Sequence, residues 1–249
     1  MRLIFFFLLF SLQCNAGDIK RDLLRVFHWT DFEGSSKGSV WLLSVYLDDE
    51  QKISLEMNDI KQKTEYKMNA VCKNDSLMAQ SQDGSISLRL KAAGIQEQSE
   101  LSGYMQTSST GKEKINLSFI FRSRSAGEAD NRYFRLYGSD AEIEAFAAKI
   151  QQSLIEDNRV WISTVIQYPM NIEISLGTSL LIQTRQQFMD AYIKIFDQPF
   201  REKICSACSN NMKSDEAGVE LGKGWIRINN TKKSDEKRHQ LVITRISKN

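Results

Sequence analysis

Apolar and polar positions alternate through much of the first half of the chain and recur at helical spacing in the second. From Val40 to Leu47 the run is almost continuously apolar, with Trp41, Leu43, Val45 and Leu47 interleaved with Leu42 and Tyr46. This predicts a strand buried on both faces. From Lys52 to Met57 the alternation is cleaner, with Ile53, Leu55 and Met57 on one side, and Asp48-Asp49-Glu50 reads as the turn between the two runs. Leu77 to Ser81, the Asp83-Gly84 turn signal, and Ile86, Leu88 and Leu90 form a hairpin pattern. Further strands are expected over 98–107 and 113–123, with Gly111 at the turn between them and Ile115, Leu117, Phe119 and Phe121 alternating. A last strand is expected over Arg132 to Tyr137. Roughly seven short strands with frequent turns fit a small antiparallel barrel or sandwich.

The pattern changes at Gly138. Ser139 followed by Glu142 is a capping-box pair, in which hydroxyl and carboxylate each satisfy an open helix amide. Ile143, Phe146, Ala147, Ile150 and Leu154 then recur at helical spacing, predicting an amphipathic helix over 140–156. A second helix is expected over 158–167 with Trp161 and Ile162 on its apolar side, stopped by Pro169. Met170 to Leu176 alternates as a strand ending at Gly177. A third helix over 185–196 buries Phe188 and Tyr192, and a short one follows Pro199. The glycine-rich stretch from Gly218 to Gly224 leads into a strand at Trp225 to Ile228, and Leu241 to Ile246 forms the last strand.

The first residues carry a different signal. Arg2, the apolar run from Leu3 to Leu12, and Cys14-Asn15-Ala16 before Gly17 follow the grammar of a signal peptide cleaved after residue 16. The run is shorter than the roughly 20 apolar residues that span a bilayer, and no second stretch approaches that length, so no transmembrane segment is expected. Lipid attachment at Cys14 is disfavoured by Gln13 before it. Periplasmic or secreted localisation follows. The formal charge is +2, falling to +1 when Arg2 leaves with the signal, which predicts no nucleic-acid partner. Cys72, Cys205 and Cys208 remain after cleavage, an odd number in an oxidising compartment.

Catalytic chemistry is hard to assemble from what is left. The histidines, His28 and His239, sit in different halves of the chain, and a nucleophile needs a base held against it. Cys205-Ser206-Ala207-Cys208 has redox-motif spacing but lacks the strand–helix alternation of such enzymes; the expectation is a local Cys205–Cys208 disulfide or two cysteines of which one pairs elsewhere. Zinc would require Cys72, Cys205, Cys208 and His239 to converge from three segments, so no metal and no cofactor is expected. Glu173 and Asp190 fall by phase on the water side of their elements. Asn74, Asn116 and Asn229 match the short glycosylation sequon.

Two helices, Tyr168-Pro169 leading into a strand, a helix with Phe188 and Tyr192, and Gly218-Val219 through Gly222, Gly224, Trp225 and Ile226 before a final strand resemble exported domains of the nuclear-transport-factor-2-like class. The resemblance covers about 139–247. It implies helices packed into a bent antiparallel sheet, leaving a cone with an open mouth, and a pocket there but no particular reaction. The expected fold class is therefore α+β: residues 1–16 a signal peptide, 17–138 an antiparallel β barrel or sandwich, and 139–249 an α+β cone. Within the cone, Trp161, Tyr168, Tyr192, Glu220 and Trp225 are the ligand-binding candidates. No residue is assigned a catalytic role. The resulting expectation is an exported, non-enzymatic protein that binds another macromolecule, as an inhibitor or immunity-type protein. The alternative is a small-molecule enzyme or carrier that takes a small hydrophobic ligand in the cone.

Overall fold

The structure is a computed structural model, and it describes residues 23–73, 76–94, 98–108, 111–124, 132–232 and 239–248. The signal segment, Cys14 and Asn74 lie outside the described residues. Eight strands in chain order, β1 (His28–Ser36), β2 (Ser39–Leu47), β3 (Ile53–Asp59), β4 (Thr64–Lys73), β5 (Ser76–Ser81), β6 (Ile86–Ala93), β7 (Glu100–Thr107) and β8 (Gly111–Arg124), each pair antiparallel with the next. Pairing of β1 with β8 closes them into a barrel. The period-2 alternation sends one set of side chains inward: Phe32, Leu43, Leu55, Met57, Leu77, Leu90, Leu101, Met105 and Leu117 are fully buried in one apolar core. The barrel is thus packed with side chains, as small barrels are. Two of its strands, β1 and β4, escaped the sequence pattern, and Arg132 to Tyr137 forms turns where a strand was expected.

The second half carries helices α1 (Asp140–Ile155), α2 (Arg159–Thr164), α3 (Arg185–Ile195) and α4 (Gln198–Ser206), a hairpin of β9 (Met170–Ser175) and β10 (Thr178–Ile182), and a meander of β11 (Lys213–Asp215), β12 (Gly218–Leu221), β13 (Ile226–Lys232) and β14 (His239–Ile246). The capping box opens α1: Glu142 N–H donates to Ser139 Oγ, and the Glu142 carboxylate accepts from Ser139 N–H. Ile143, Ala147, Ile150 and Leu154 then enter a core shared with Phe188, Phe196, Val219, Ile226 and Ile243.

The expected fold class is corrected here. The described residues are mainly β, 52% strand against 21% helix, and the C-terminal cone is not formed. A single bent sheet would need β9 and β14 to pair along their length. Instead, β9 turns back through Gly177 to pair with β10, and β14 pairs with β13. Hairpin and meander meet through the Glu173–Ser247 bridge and the Glu173–Arg245 ion pair and share no ladder among the described residues, so no sheet hollow encloses the helices.

The halves are joined at a buried latch. Outward-facing Asp31 on β1 accepts from Ser44 Oγ and pairs with Arg132 at 2.6 Å, both ions fully buried. Arg132 also donates to the carbonyls of Met212 (3.1 Å) and Asn211 (2.9 Å) and lies over the Trp29 ring, 5.2 Å from its centroid. Asn211 adopts a left-handed φ of 52°, which Asn tolerates better than most residues. Burial holds the Asp31 carboxyl above its usual range, against the pull of Arg132 and Ser44.

Candidate functional site

Docking of the two halves leaves a groove of about 820 Å³ along their seam. The barrel supplies Val40 and Leu42 from β2, Asn58 and Asp59 from the end of β3, and Ile120 and Phe121 from β8. The other wall is built from Gln151 and Ile155 of α1, Lys203 and Cys205 of α4, the 207–212 segment, and the β12–β13 turn with Lys223 and Trp225. Ile120 owes its position to a register shift: Asp31 pairs with Phe121 and Phe32 with Phe119, so Ile120 bulges out of the ladder. It is 40% exposed, Val40 42% and Ile155 61%, a high exposure for large aliphatic side chains lining one depression. Lys61, Lys63, Lys203 and Lys223 rim the groove and make no ion pair among the described residues. Asp59 accepts from the Lys61 and Gln62 amides at 3.0 Å, and so shapes the turn that presents Lys61 and Lys63. The side-chain amide nitrogens of Asn58 in the barrel wall and Asn211 in the opposite wall have no acceptor among the described residues.

The structure divides the sequence candidates into two groups. Glu220 and Trp225 line the groove, as do Cys205 and Cys208. Trp225 lies flat against Gly222, where an added Cβ would come within 2.3 Å of the ring, so the glycine is what lets this indole fold back. Glu220 is buried and ion-paired with Arg227 and, at 3.5 Å, with Lys213, which neutralises it. Trp161, Tyr168 and Tyr192 belong to the helical core instead. Trp161 packs on Phe146. Tyr168 donates to the Ser163 carbonyl at 3.1 Å. Tyr192 is fully buried, its ring flanked by the guanidinium groups of Arg159 and Arg201, which share Asp157. Burial pushes both tyrosine hydroxyls up to about 12.

The expected disulfide is not formed: Cys205 and Cys208 are free thiols. The Cys205 thiol is turned toward the Gln151 carbonyl at 3.7 Å. It sits at the C-terminal end of α4, where the helix dipole disfavours a thiolate. Burial raises Cys205 and pushes Cys208 up to about 11, the reverse of what a reactive cysteine requires. Elsewhere, His28 contacts the Val26 carbonyl, and His239 stacks on Tyr137 with centroids 3.5 Å apart. Glu173 is held by Arg245 and Ser247, and Asp190 is exposed. Among the described residues no group of three or more His, Cys, Asp or Glu could hold a metal ion, and no helix is long and apolar enough to cross a membrane.

Sequence reasoning missed the barrel wall of the groove. Val40 reads as a strand residue and position 120 falls within the strand expected over 113–123, and only the docking of two distant segments gives Val40, Ile120 and Lys61 a common surface. Lys61, Lys63, Lys203 and Lys223 come from distant segments, and nothing local in the sequence signals their convergence. In comparisons with known proteins, no family, no curated protein and no solved structure matches this chain, so the likeness of 139–247 to the nuclear-transport-factor-2-like class has no relative to rest on.

Proposed function

We propose that this chain is an exported, non-catalytic protein that binds a partner protein in the seam groove and blocks or neutralises it there. The observation that carries this reading is the groove's composition: exposed Val40, Ile120 and Ile155 inside a rim of unpaired lysines. An apolar floor with a charged margin is how protein-binding surfaces are built. A segment with aliphatic or aromatic anchors and neighbouring carboxylates matches it in both respects. Within the groove Glu220 is ion-paired with Arg227 and Lys213, and burial raises the Cys205 and Cys208 thiols above their usual range, which disfavours a thiolate nucleophile there.

The test uses the chain lacking residues 1–16, alongside an Ile120→Glu/Ile155→Glu variant, as immobilised bait in periplasmic or secreted extract. A protein retained by the former is purified and titrated against both forms by calorimetry. We expect saturable binding that weakens at least tenfold in the variant, since each tenfold corresponds to about 1.4 kcal/mol and central apolar contacts commonly exceed that. Retention that ignores the two substitutions, or no retained protein at all, sinks the reading.

A further inference from the structure

The geometry points to a second, separate binding surface: the free outer face of β4–β8 is a platform for an acidic polysaccharide. Register places the outward side chains in rows across the strands. One row runs Val71, Met78, Arg89, Tyr104, Lys114, and the next runs Asn69, Gln80, Ser87, Gln106, Lys112. Several of these side chains line a shallow depression of about 510 Å³ on the barrel wall. Tyr104 is 42% exposed and Val71 62%, so the face carries an aromatic ring and an aliphatic patch in water. The amides of Asn69, Gln80 and Gln106 line the same depression.

Charge decides which ligand fits. Lys67 is taken up by Glu56 and Glu65. Beyond that group, the outward positions of the described strands β4–β8 carry Lys73, Arg89, Lys91, Lys112 and Lys114 against Glu100, with Asp83 at the β5–β6 turn. None of these five cations makes an ion pair among the described residues. In a chain whose whole formal charge is +2, such an excess on one wall is a segregation of charge that attracts anions. Amides paired with an exposed aromatic ring match the hydroxyls and apolar ring faces of a sugar. Arg89, Lys112 and Lys114 match its carboxylates. Strands about 4.8 Å apart repeat these groups at close to the length of one sugar unit, so a linear chain lying across the strands meets them in succession. Single-stranded nucleic acid fits less well, because it needs a run of stacking rings, and Tyr104, already approached by Lys112 at 4.4 Å, is the one aromatic in these rows.

Affinity electrophoresis of the chain lacking residues 1–16 tests this, with polygalacturonate in the gel and neutral dextran as reference. Retardation by polygalacturonate and not by dextran is expected. It should fall at least tenfold in Arg89→Glu/Lys114→Glu and at least threefold in Tyr104→Ala, with melting temperatures unchanged. Ile120→Glu/Ile155→Glu should be retarded like the parent, which separates this surface from the seam groove. Absence of retardation, retardation insensitive to the substitutions, or equal affinity for an oligothymidine strand overturns the proposal.

Discussion

The barrel wall has two faces built from the same alternating strands, and they differ in what covers them. On β1–β3 and the end of β8, outward positions hold Trp29, Asp31, Leu42, Ser44, Tyr46 and Phe121, with most of them buried by the C-terminal half. On β4–β7 the equivalent positions hold Asn69, Gln80, Arg89, Gln106 and Tyr104, all exposed. The inward set is apolar on both sides, the reverse of a membrane-spanning barrel, whose lipid-facing side chains are apolar. Outward residues therefore report docking, and inward residues report the barrel itself. On β1 the outward set carries Asp31 of the buried Asp31–Arg132 pair, and there the C-terminal half lies against the barrel.

Breaking the latch is the strongest way to test that difference. Arg132→Ala leaves the Asp31 carboxyl buried without its cation and with one hydroxyl partner, and opens the contact with Asn211 and Met212. The expected loss is about 3–5 kcal/mol, the cost of orphaning one member of a buried pair, measured by urea denaturation. The double variant Asp31→Val/Arg132→Met should regain much of that loss, because an apolar pair of similar volume needs no ionic partner. If Arg132→Ala costs less than about 1 kcal/mol, the pair behaves like a surface contact and the halves are not joined there.

A smaller effect separates packing within the C-terminal half from docking against the barrel. The Gln151 amide on α1 donates to the carbonyls of Ile204 (2.7 Å) and Ala207 (2.8 Å) at the end of α4, and its side chain also borders the seam groove. Gln151→Leu leaves the Ile204 carbonyl with the Ala207 N–H at 3.1 Å but takes the Gln151 donor from the Ala207 carbonyl, at about 1–3 kcal/mol. The loss should appear in denaturation while barrel amides keep their exchange protection. Loss of protection in β1–β3 as well would mean that α1 is stabilised mainly through the barrel.

The two halves also differed in how far the sequence led. Helix α1 was legible because capping box and apolar spacing agree locally, and β2, β3, β6 and β8 were legible because one face of each is uniformly apolar. Strand β1 was not: His28, Trp29, Thr30, Asp31 and Phe32 show no alternation, since inward Phe32 and outward Trp29 and Asp31 are buried by different layers. The segment at 132–137 misled for a related reason. Its Tyr133 and Leu136 enter the C-terminal core from consecutive turns, so aromatic richness there reflects docking and not strand pairing. The cone failed at long range, because no local pattern says whether β9 will pair with β10 or with β14. Of the candidate site, Glu220 and Trp225 were placed in the groove, whereas Tyr168 and Tyr192 were drawn into the core by the helices they sit beside.

The smallest effect concerns pH, and it should act with opposite sign on the two faces. Asp83, in the β5–β6 turn at the free side, accepts from the hydroxyls of Ser81 (2.6 Å) and Ser85 (2.7 Å) and from the Ser85 amide. These bonds hold its carboxyl down, from 3.8 to about 2. Above pH 3.8 the group is ionised whether folded or not, and its contribution to the turn is complete. As pH falls from 3.8 toward about 2, the unfolded chain takes up the proton first and the contribution is lost. Asp31 runs the other way: its folded value lies above 3.8, so the native state binds the proton first and this group's contribution rises on acidification. Amide exchange followed from pH 5 to pH 2 should therefore show Ser85 and Ile86 losing protection earlier than their β5–β6 neighbours. Asp83→Asn should remove that local pH dependence and leave the exchange of β1–β3 unchanged. If the substitution alters protection at Asp31 or Ser44 as much as at Ser85, the turn and the latch titrate as one unit and the two faces are not independent.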